Sequence, residues 1–491
     1  MTNHHHHVAV IGAGPGGLCL GTKLQEAGID DFVLFERADG VGGTWRHNTY
    51  PGAACDVPSH LYSFSFAPKY DWSRPYATQP EILEYFEDFA TARGLRPHVR
   101  LNVEVAAASW DDATSTWQLD TTDGPHSADV LVGAVGMFTE LTWPQIPGLD
   151  EFAGTLFHSA RWRHDHRLAG RTVAVIGTGA SAVQLIPEVA REVGQLHVFQ
   201  RQPQWVLPKA DDPHSEEQLA RFRADPDEAA REREAIFHRT DASLTFSDAT
   251  MRAEAEKAGL ANLATVEDPE VRRRLAPVGP FGCHRPLISN AYYPTFNRNN
   301  VELVTDPIAR IAREGVVTAD GVMREVDTIV CATGFGTTKF LSVVDIKGRE
   351  GEHLDDVWAD GAFAYLGIAV PGFPNLFMLY GPNTNNGSIL HMIECQVGYV
   401  VRQLVRMRED ALAEIEVSAD ATTQYNDELQ RALDSVEVWH GDCHTYFRSP
   451  TGRIVTQWPA GMTDYAARTS VPDVDAFVVT LRVEAPAPAT P

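Results

Sequence analysis

At 491 residues, with 44% apolar and 22% charged residues, the chain has room for two or three ordinary globular cores. A net charge of −25 repels phosphate backbones and anionic lipid, which argues against nucleic-acid and membrane partners. No apolar run approaches the roughly 18 residues of a membrane span and no signal peptide is recognisable, so a cytoplasmic location is expected.

His4 to His7 read as a solvated run or the remnant of a tag, and no metal site is expected there. Residues 8–11 (V-A-V-I) predict a strand running into G-A-G-P-G-G, with Gly12, Gly14 and Gly17 at G-x-G-x-x-G spacing, and then a helix. Such glycines permit a tight turn, close approach of the backbone to a pyrophosphate and close packing of helix on strand. The next strand, D-F-V-L-F-E, ends in Glu36, suited to accept from ribose hydroxyls. Strand, turn, helix and terminal acid in that order predict a dinucleotide-binding unit.

The pattern recurs. R-T-V-A-V-I leads into G-T-G-A-S-A, with Gly177, Gly179 and Ala182, and the following strand L-H-V-F-Q-R ends in Arg201. Glu36 and Arg201 stand at the same offset from the first glycine of their turns. An acid there suits a free 2′-hydroxyl and a guanidinium suits a 2′-phosphate, so the first unit is expected to hold FAD and the second NADPH. The charged, Ala-rich stretch over about 210–280 predicts amphipathic helices decorating the second unit. A later strand, V-D-T-I-V-C over 326–331, reads as the return to the first unit, and the final A-P-A-P-A-T-P as a disordered tail. The expected fold class is α/β, with two Rossmann-like dinucleotide-binding domains. An FAD domain split into 1–140 and 326–491 encloses an NADPH domain over 141–325, itself carrying the helical insertion. Six cysteines, Cys19, Cys55, Cys283, Cys331, Cys395 and Cys443, form no C-x-x-C pair, which excludes a dithiol reductase of thioredoxin type and a metal ribbon.

Two further stretches carry the chemistry. G-G-T-W-R-H-N-T-Y-P-G-A-A-C-D, from Gly42 to Asp56, matches G-G-x-W-x-x-x-x-Y-P-G-x-x-x-D throughout. F-A-G-T-L-F-H-S-A-R-W, with Phe152, Gly154, His158 and Trp162, matches F-x-G-x-x-x-H-x-x-x-W. On these motifs and the two nucleotide units the chain resembles the class B flavin monooxygenases and, within them, the Baeyer–Villiger monooxygenases, over most of residues 8–470. Arg163 after the Trp departs from the Pro or Asp usual in that family.

The resemblance implies an enzyme that uses FAD, NADPH and O2 to insert one oxygen next to a ketone carbonyl, giving an ester or lactone through a C4a-peroxyflavin. It assigns the fixed cation beside the reacting oxygen to Arg285, in G-C-H-R-P-L-I-S-N-A-Y-Y-P-T-F-N-R, with Asp56 as its orienting partner. Pro286 favours extended backbone at Arg285. The resemblance also carries Gly43, Thr44, Trp45, Asp56, Tyr62, Val105 and Met392 to the flavin. To the nicotinamide cofactor it carries Thr178, Ser181, Gln184, Gln202 and His284. The last replaces a lysine that usually helps hold the 2′-phosphate, and Thr445 stands where relatives often have Trp. A heteroatom monooxygenase, oxidising N or S, shares the nucleotide units but not Asp56, Arg285 and Trp162. A redox sensor would need a docking module that the sequence lacks. No particular ketone and no oligomeric state is assigned.

Overall fold

Two sheets, each entered through a glycine turn, organise the chain. The computed structural model describes residues 4–243, 246, 248–439, 443 and 445–482; the expected disordered tail lies outside them. The first sheet runs Asp345–Lys347, Val105–Asp111, Thr116–Thr121, Gly124–Gly133, His4–Ile11, Phe32–Glu36, Val99–Leu101, with Leu376–Met378 pairing beside Gly124–Gly133. His4–Ile11 is parallel to both neighbours. The second sheet is parallel throughout: Val301–Val304, Gln195–Phe199, Thr172–Ile176, Thr328–Cys331, Thr155–His158.

Both sheets are covered on both faces, as their continuous apolar strands require. Val8 and Val10 enter one core while Ala9 and Ile11 enter another on the opposite face. Val173 and Val175 part from Ala174 and Ile176 in the same way. This is the strand's alternation of side chains applied to a doubly buried sheet.

Three expectations are corrected by the chain's own contacts. His4 to His7 are not a free run: they extend the first strand, with His4 opposite His126 and His6 opposite Ala128. His6 stacks on His126 at 5.4 Å, and its Nε2 lies 3.2 Å from the His126 Nδ1. The strand Thr328–Cys331, expected to open the return to the first unit, pairs instead between Thr172–Ile176 and Thr155–His158. Its residues Thr328, Ile329, Val330 and Cys331 are all buried, so it completes the second sheet before the chain crosses back.

The insertion forms helices Glu216–Ala224, Pro226–Ser243, Ala249–Leu263 and Pro269–Leu275. It does not decorate the second unit alone. Ile236 and Phe237 pack into the core on one face of the first sheet, and Arg233 Nη2 donates to the Ser63 carbonyl at 3.3 Å. Asp241 caps the helix Met462–Ser470, accepting from Met462 N and from Thr463 Oγ1. Leu263, by contrast, joins the core of the second unit, and Asn262 Nδ2 donates to the carbonyls of Val206 and Ser289. Two helices with apolar faces aimed at different cores make the insertion a brace between the units.

Candidate active site

The first turn is built by contacts that only glycine allows. Gly12 has φ +109°, and a Cβ there would sit 2.6 Å from the Ala134 carbonyl oxygen. A Cβ on Gly17 would lie 2.0 Å from the Gly12 oxygen, so this glycine sets how closely the helix Pro15–Glu26 meets its strand. Gly43 has φ +54°, and a Cβ on it would come within 2.9 Å of the Gly14 Cα. The two backbones therefore meet bare of side chains and leave a cradle of main chain. Glu36 closes the turn: its two carboxylate oxygens accept from Ala13 N and Ala38 N, each at 2.9 Å.

The second turn repeats this at Gly177, φ +117°, where a Cβ would meet the Ala332 oxygen at 2.4 Å. Gly179 faces open space, and Ala182, at the third position, is fully buried with its Cβ accommodated. Thr178 Oγ1 donates to the Gln202 carbonyl at 3.1 Å, tying turn to strand end.

Both turns open into one cavity of about 1200 Å³. From the first side it is lined by Gly12, Gly14, Glu36, Gly43, Thr44, Trp45, Asp56, Tyr62 and Val105. Gly177, Thr178, Gly179, Ser181, Gln184, Arg201, Gln202, His284 and Arg285 line it from the other. Two expected residues do not. Gly17 is sealed behind the Gly12 carbonyl, and Met392 is fully buried in the first core. One residue further along a helix turns the side chain by about 100°, so Ile389 and Ile393 face the cavity in its place. The signature residues Phe152, Gly154, His158 and Trp162 pack along the edge of the second sheet. A Cβ on Gly154 would collide with the Phe152 ring and the Asp327 oxygen, both at 2.5 Å, and Trp162 meets Phe157 edge-on at 5.2 Å.

Asp56 and Arg285, 229 residues apart, meet at this cavity in a two-pronged pair: Arg285 Nε donates to Asp56 Oδ2 at 2.7 Å and Nη2 to Oδ1 at 2.8 Å. A fork-to-fork pair fixes the plane of the guanidinium as well as its position. The turn Tyr50-Pro51-Gly52 delivers the acid. Tyr50 Oη donates to Gln184 Oε1 at 2.9 Å, and Gln184 Nε2 donates to the Ala54 carbonyl at 2.9 Å. Gly52, φ +81°, lets that turn press on the helix Ala180–Glu192, where a Cβ would meet the Gln184 oxygen at 2.6 Å. The acid is thus carried by a loop of the first unit that docks on a helix of the second. Burial works against the Asp56 carboxylate, but the charge and hydrogen bonds of Arg285 outweigh it and hold its pKa below the usual range. The attraction of Asp56 raises the Arg285 pKa, so the cation is permanent.

Four residues that sequence reasoning passed over also line the cavity: Arg37, Arg161, Tyr380 and Tyr446. Arg37 directly follows Glu36, which is the one signal that pointed to it. Arg161 has its pKa lowered by burial and by Arg37, and His47 beside them is lowered by burial and by both arginines. Tyr380 Oη donates to Asn385 Oδ1 at 2.8 Å, and burial raises the pKa of its phenol against the pull of Arg285.

Comparison with known proteins gives the chain its family. The profile of the pyridine nucleotide-disulphide oxidoreductase family matches residues 9–236. A Baeyer–Villiger monooxygenase of Pseudomonas aeruginosa is 40% identical over 97% of this chain and 92% of its own. One from Streptomyces coelicolor is 38% identical over 100% of this chain and 95% of its own. Among solved structures, cyclohexanone monooxygenase in a closed form superposes with a TM-score of 0.88 at 34% identity, covering 98% of this chain and 100% of that one. A steroid monooxygenase bound to NADP gives 0.87 at 31% identity over 98% and 100%. With relatives at this identity over nearly the full length of both chains, the chain belongs to the Baeyer–Villiger monooxygenase family.

Proposed function

We propose that Arg285, held in plane by Asp56, is the fixed cation at the reacting centre, with FAD in the first glycine turn and NADPH in the second. The enzyme is an FAD- and NADPH-dependent monooxygenase that inserts one oxygen atom next to a ketone carbonyl. The residues present fit both cofactors. Bare backbone at Gly12, Gly14 and Gly43 forms a cradle for a pyrophosphate, and the exposed Arg201 stands where a 2′-phosphate would sit. Bound FAD supplies the redox chemistry, accepting hydride from NADPH and activating O2.

The protein's own contribution is placement and charge. Negative charge develops on the ketone oxygen as the carbonyl is attacked, and a preorganised cation at that point lowers the barrier without reorganising solvent. Asp56 keeps the guanidinium protonated and aimed, and Tyr380 and Tyr446 narrow the space around it. The cavity wall includes Ile389 and Ile393, which favours an apolar ketone. Cyclic and steroidal ketones, after the relatives' names, are the first to try. We place the enzyme in the cytoplasm, where NADPH is available.

The observation that carries this reading is the two-pronged pair at the cavity. Arg285→Ala is expected to keep FAD and to be reduced by NADPH, because hydride transfer does not need the cation. Ester formation should fall by about 10²–10³, with hydrogen peroxide released instead. Asp56→Ala should do the same less completely. Product mass and anaerobic stopped-flow reduction separate the steps. Ester formation by Arg285→Ala at near wild-type rate would overturn the assignment.

A further inference from the structure

Two residues before Arg285 the chain is crosslinked. Cys283 and Cys443, 160 residues apart in sequence, form a disulfide with their Cα atoms 5.6 Å apart, and both are buried. The same two segments meet again beside it, where the Trp439 indole donates to the Gly282 carbonyl at 3.1 Å. Trp439 packs edge-on against Phe447, next to Tyr446, which lines the cavity. The crosslink therefore joins the segment of Arg285 to the segment of Tyr446. Beyond Arg285 the chain is anchored by the short strand Leu287–Ile288, paired with Val206–Leu207. Before it, the disulfide and the Trp439 bond are the corresponding anchors. Arg285 is thus suspended between a strand and a crosslink, facing Asp56.

We infer that Cys283–Cys443 is a positioning crosslink for the oxygenation step, opened by a dithiol and closed by the reverse exchange, in which a cyclic disulfide takes up the two electrons and two protons. This rests on the role given above to Arg285. Closed, the link holds Arg285 in the plane of Asp56 and keeps the Tyr446 segment against the cavity. Open, both segments gain freedom and the cation is no longer aimed. In the opening step, one thiolate of the dithiol attacks a sulfur of the pair and forms a mixed disulfide. Its second thiol displaces that sulfur and closes a cyclic disulfide, so two electrons and two protons pass to Cys283 and Cys443. Disulfides inside reducing compartments are characteristically switchable rather than structural. Cys19, Cys55, Cys331 and Cys395 are free thiols, so among the described residues a reductant breaks no other link.

The test uses the FAD-loaded enzyme. Alkylation and digestion without reductant should yield a linked peptide pair carrying Cys283 and Cys443 that dithiothreitol separates. Wild type with and without dithiothreitol, Cys283→Ser, Cys443→Ser and the double variant are then compared. FAD content and the anaerobic rate of flavin reduction should stay within about twofold, while ester formation falls by about tenfold and peroxide per NADPH rises to match. The three variants should equal one another and the reduced wild type, and none should respond further to dithiothreitol. A merely structural link would lower the melting temperature or FAD retention and leave the ester-to-peroxide split unchanged. That result overturns the inference, as does the absence of the linked peptide. If a variant does not fold, reduction of the wild type decides alone. Arg285→Ala in parallel separates the two claims. If it still makes ester normally, the reading of Arg285 has failed. If it makes none while opening the link changes nothing, only the crosslink's role has failed.

Discussion

The two nucleotide units solve one local problem with the same backbone and finish it differently. Each has a strand, a glycine turn and a helix whose N-terminus faces the cavity, and each places a charged residue at or just past the end of its second strand. In the first unit that residue, Glu36, is buried and already held by two backbone N–H groups, with lone pairs to spare for a ribose. In the second, Arg201 is exposed, and no carboxylate among the described residues pairs with it. The first unit is finished by its own chain, whereas the second leaves its charge for a ligand to satisfy. That suits a cofactor that stays and one that comes and goes.

The third turn position breaks this comparison most forcefully. Gly17→Ala places a Cβ 2.0 Å from a backbone oxygen, which cannot move without opening the turn. Overpacking against backbone is expected to cost about 3 kcal/mol and to release FAD, seen as a lower melting temperature and loss of the yellow colour on gel filtration. The second unit carries Ala182 at the matching position, buried and accommodated. Gly179→Ala, which meets nothing within 4 Å, should leave stability unchanged and weaken only NADPH. Equal thermal losses in the two variants would mean that the turns are not packed differently.

Acid is expected to act on the first unit's side of the insertion. His60 is buried beside His214 and Phe222, and burial, then the neighbouring His214, lowers its pKa to about 4. His391, facing Phe237 of the insertion, is also lowered by burial to about 4. A histidine whose folded pKa is depressed contributes stability that is fully present above its ordinary pKa near 6.5. That stability is lost as the pH falls from about 6.5 toward 4. For His60 the loss amounts to about 3 kcal/mol over that window. Proteolysis of the insertion should therefore accelerate on acidification, and His60→Gln should flatten the dependence. An unchanged slope in that variant would remove His60 from the account.

What was legible follows from how local each signal is. The glycine turns, Glu36 and Arg201 are written within some 25 residues by steric rules that admit few alternatives. The pairing of Asp56 with Arg285 came only through the family resemblance, since nothing local links residues so far apart. The Cys283–Cys443 crosslink and the docking of Ile236 and Phe237 on the first core are long-range contacts with no spacing pattern at all. Thr328–Cys331 reads as a buried strand in either sheet, and only its pairing decides which. Met392 is buried in the first core, and the same helix lines the cavity with Ile389 and Ile393.

Arg201→Ala sharpens the contrast between the strand ends. Removing a charge-assisted contact to a 2′-phosphate is expected to cost roughly 1.5–3 kcal/mol, on the order of 10- to 100-fold in NADPH affinity, with little change for NADH. Fluorescence titration of both nucleotides measures it. Equal losses for the two would mean that Arg201 grips something other than the 2′-phosphate.

His284 carries the smallest effect. It lines the same cavity with its Nε2 buried and without a hydrogen-bond partner among the described residues, and burial lowers its pKa. At neutral pH the ring is therefore uncharged and adds nothing electrostatic to an anion nearby. His284→Lys supplies a permanent charge on a longer stem. For a partly exposed pair the gain is under about 1 kcal/mol, so NADPH preference over NADH should rise a few-fold at pH 7.5. The two proteins should also differ in slope. Wild-type preference should climb only at pH lower than an ordinary imidazole would require, because burial holds the His284 proton off, and it should do so beyond any change due to the phosphate itself. The lysine variant shows only the phosphate's share, because its own charge does not change in that range. Taking the ratio of the two proteins at each pH cancels the phosphate and leaves the imidazole. A ratio that stays constant from pH 7.5 down to the lowest pH at which the enzyme keeps its FAD would place His284 out of reach of the 2′-phosphate and leave Arg201 as the cation that reads it.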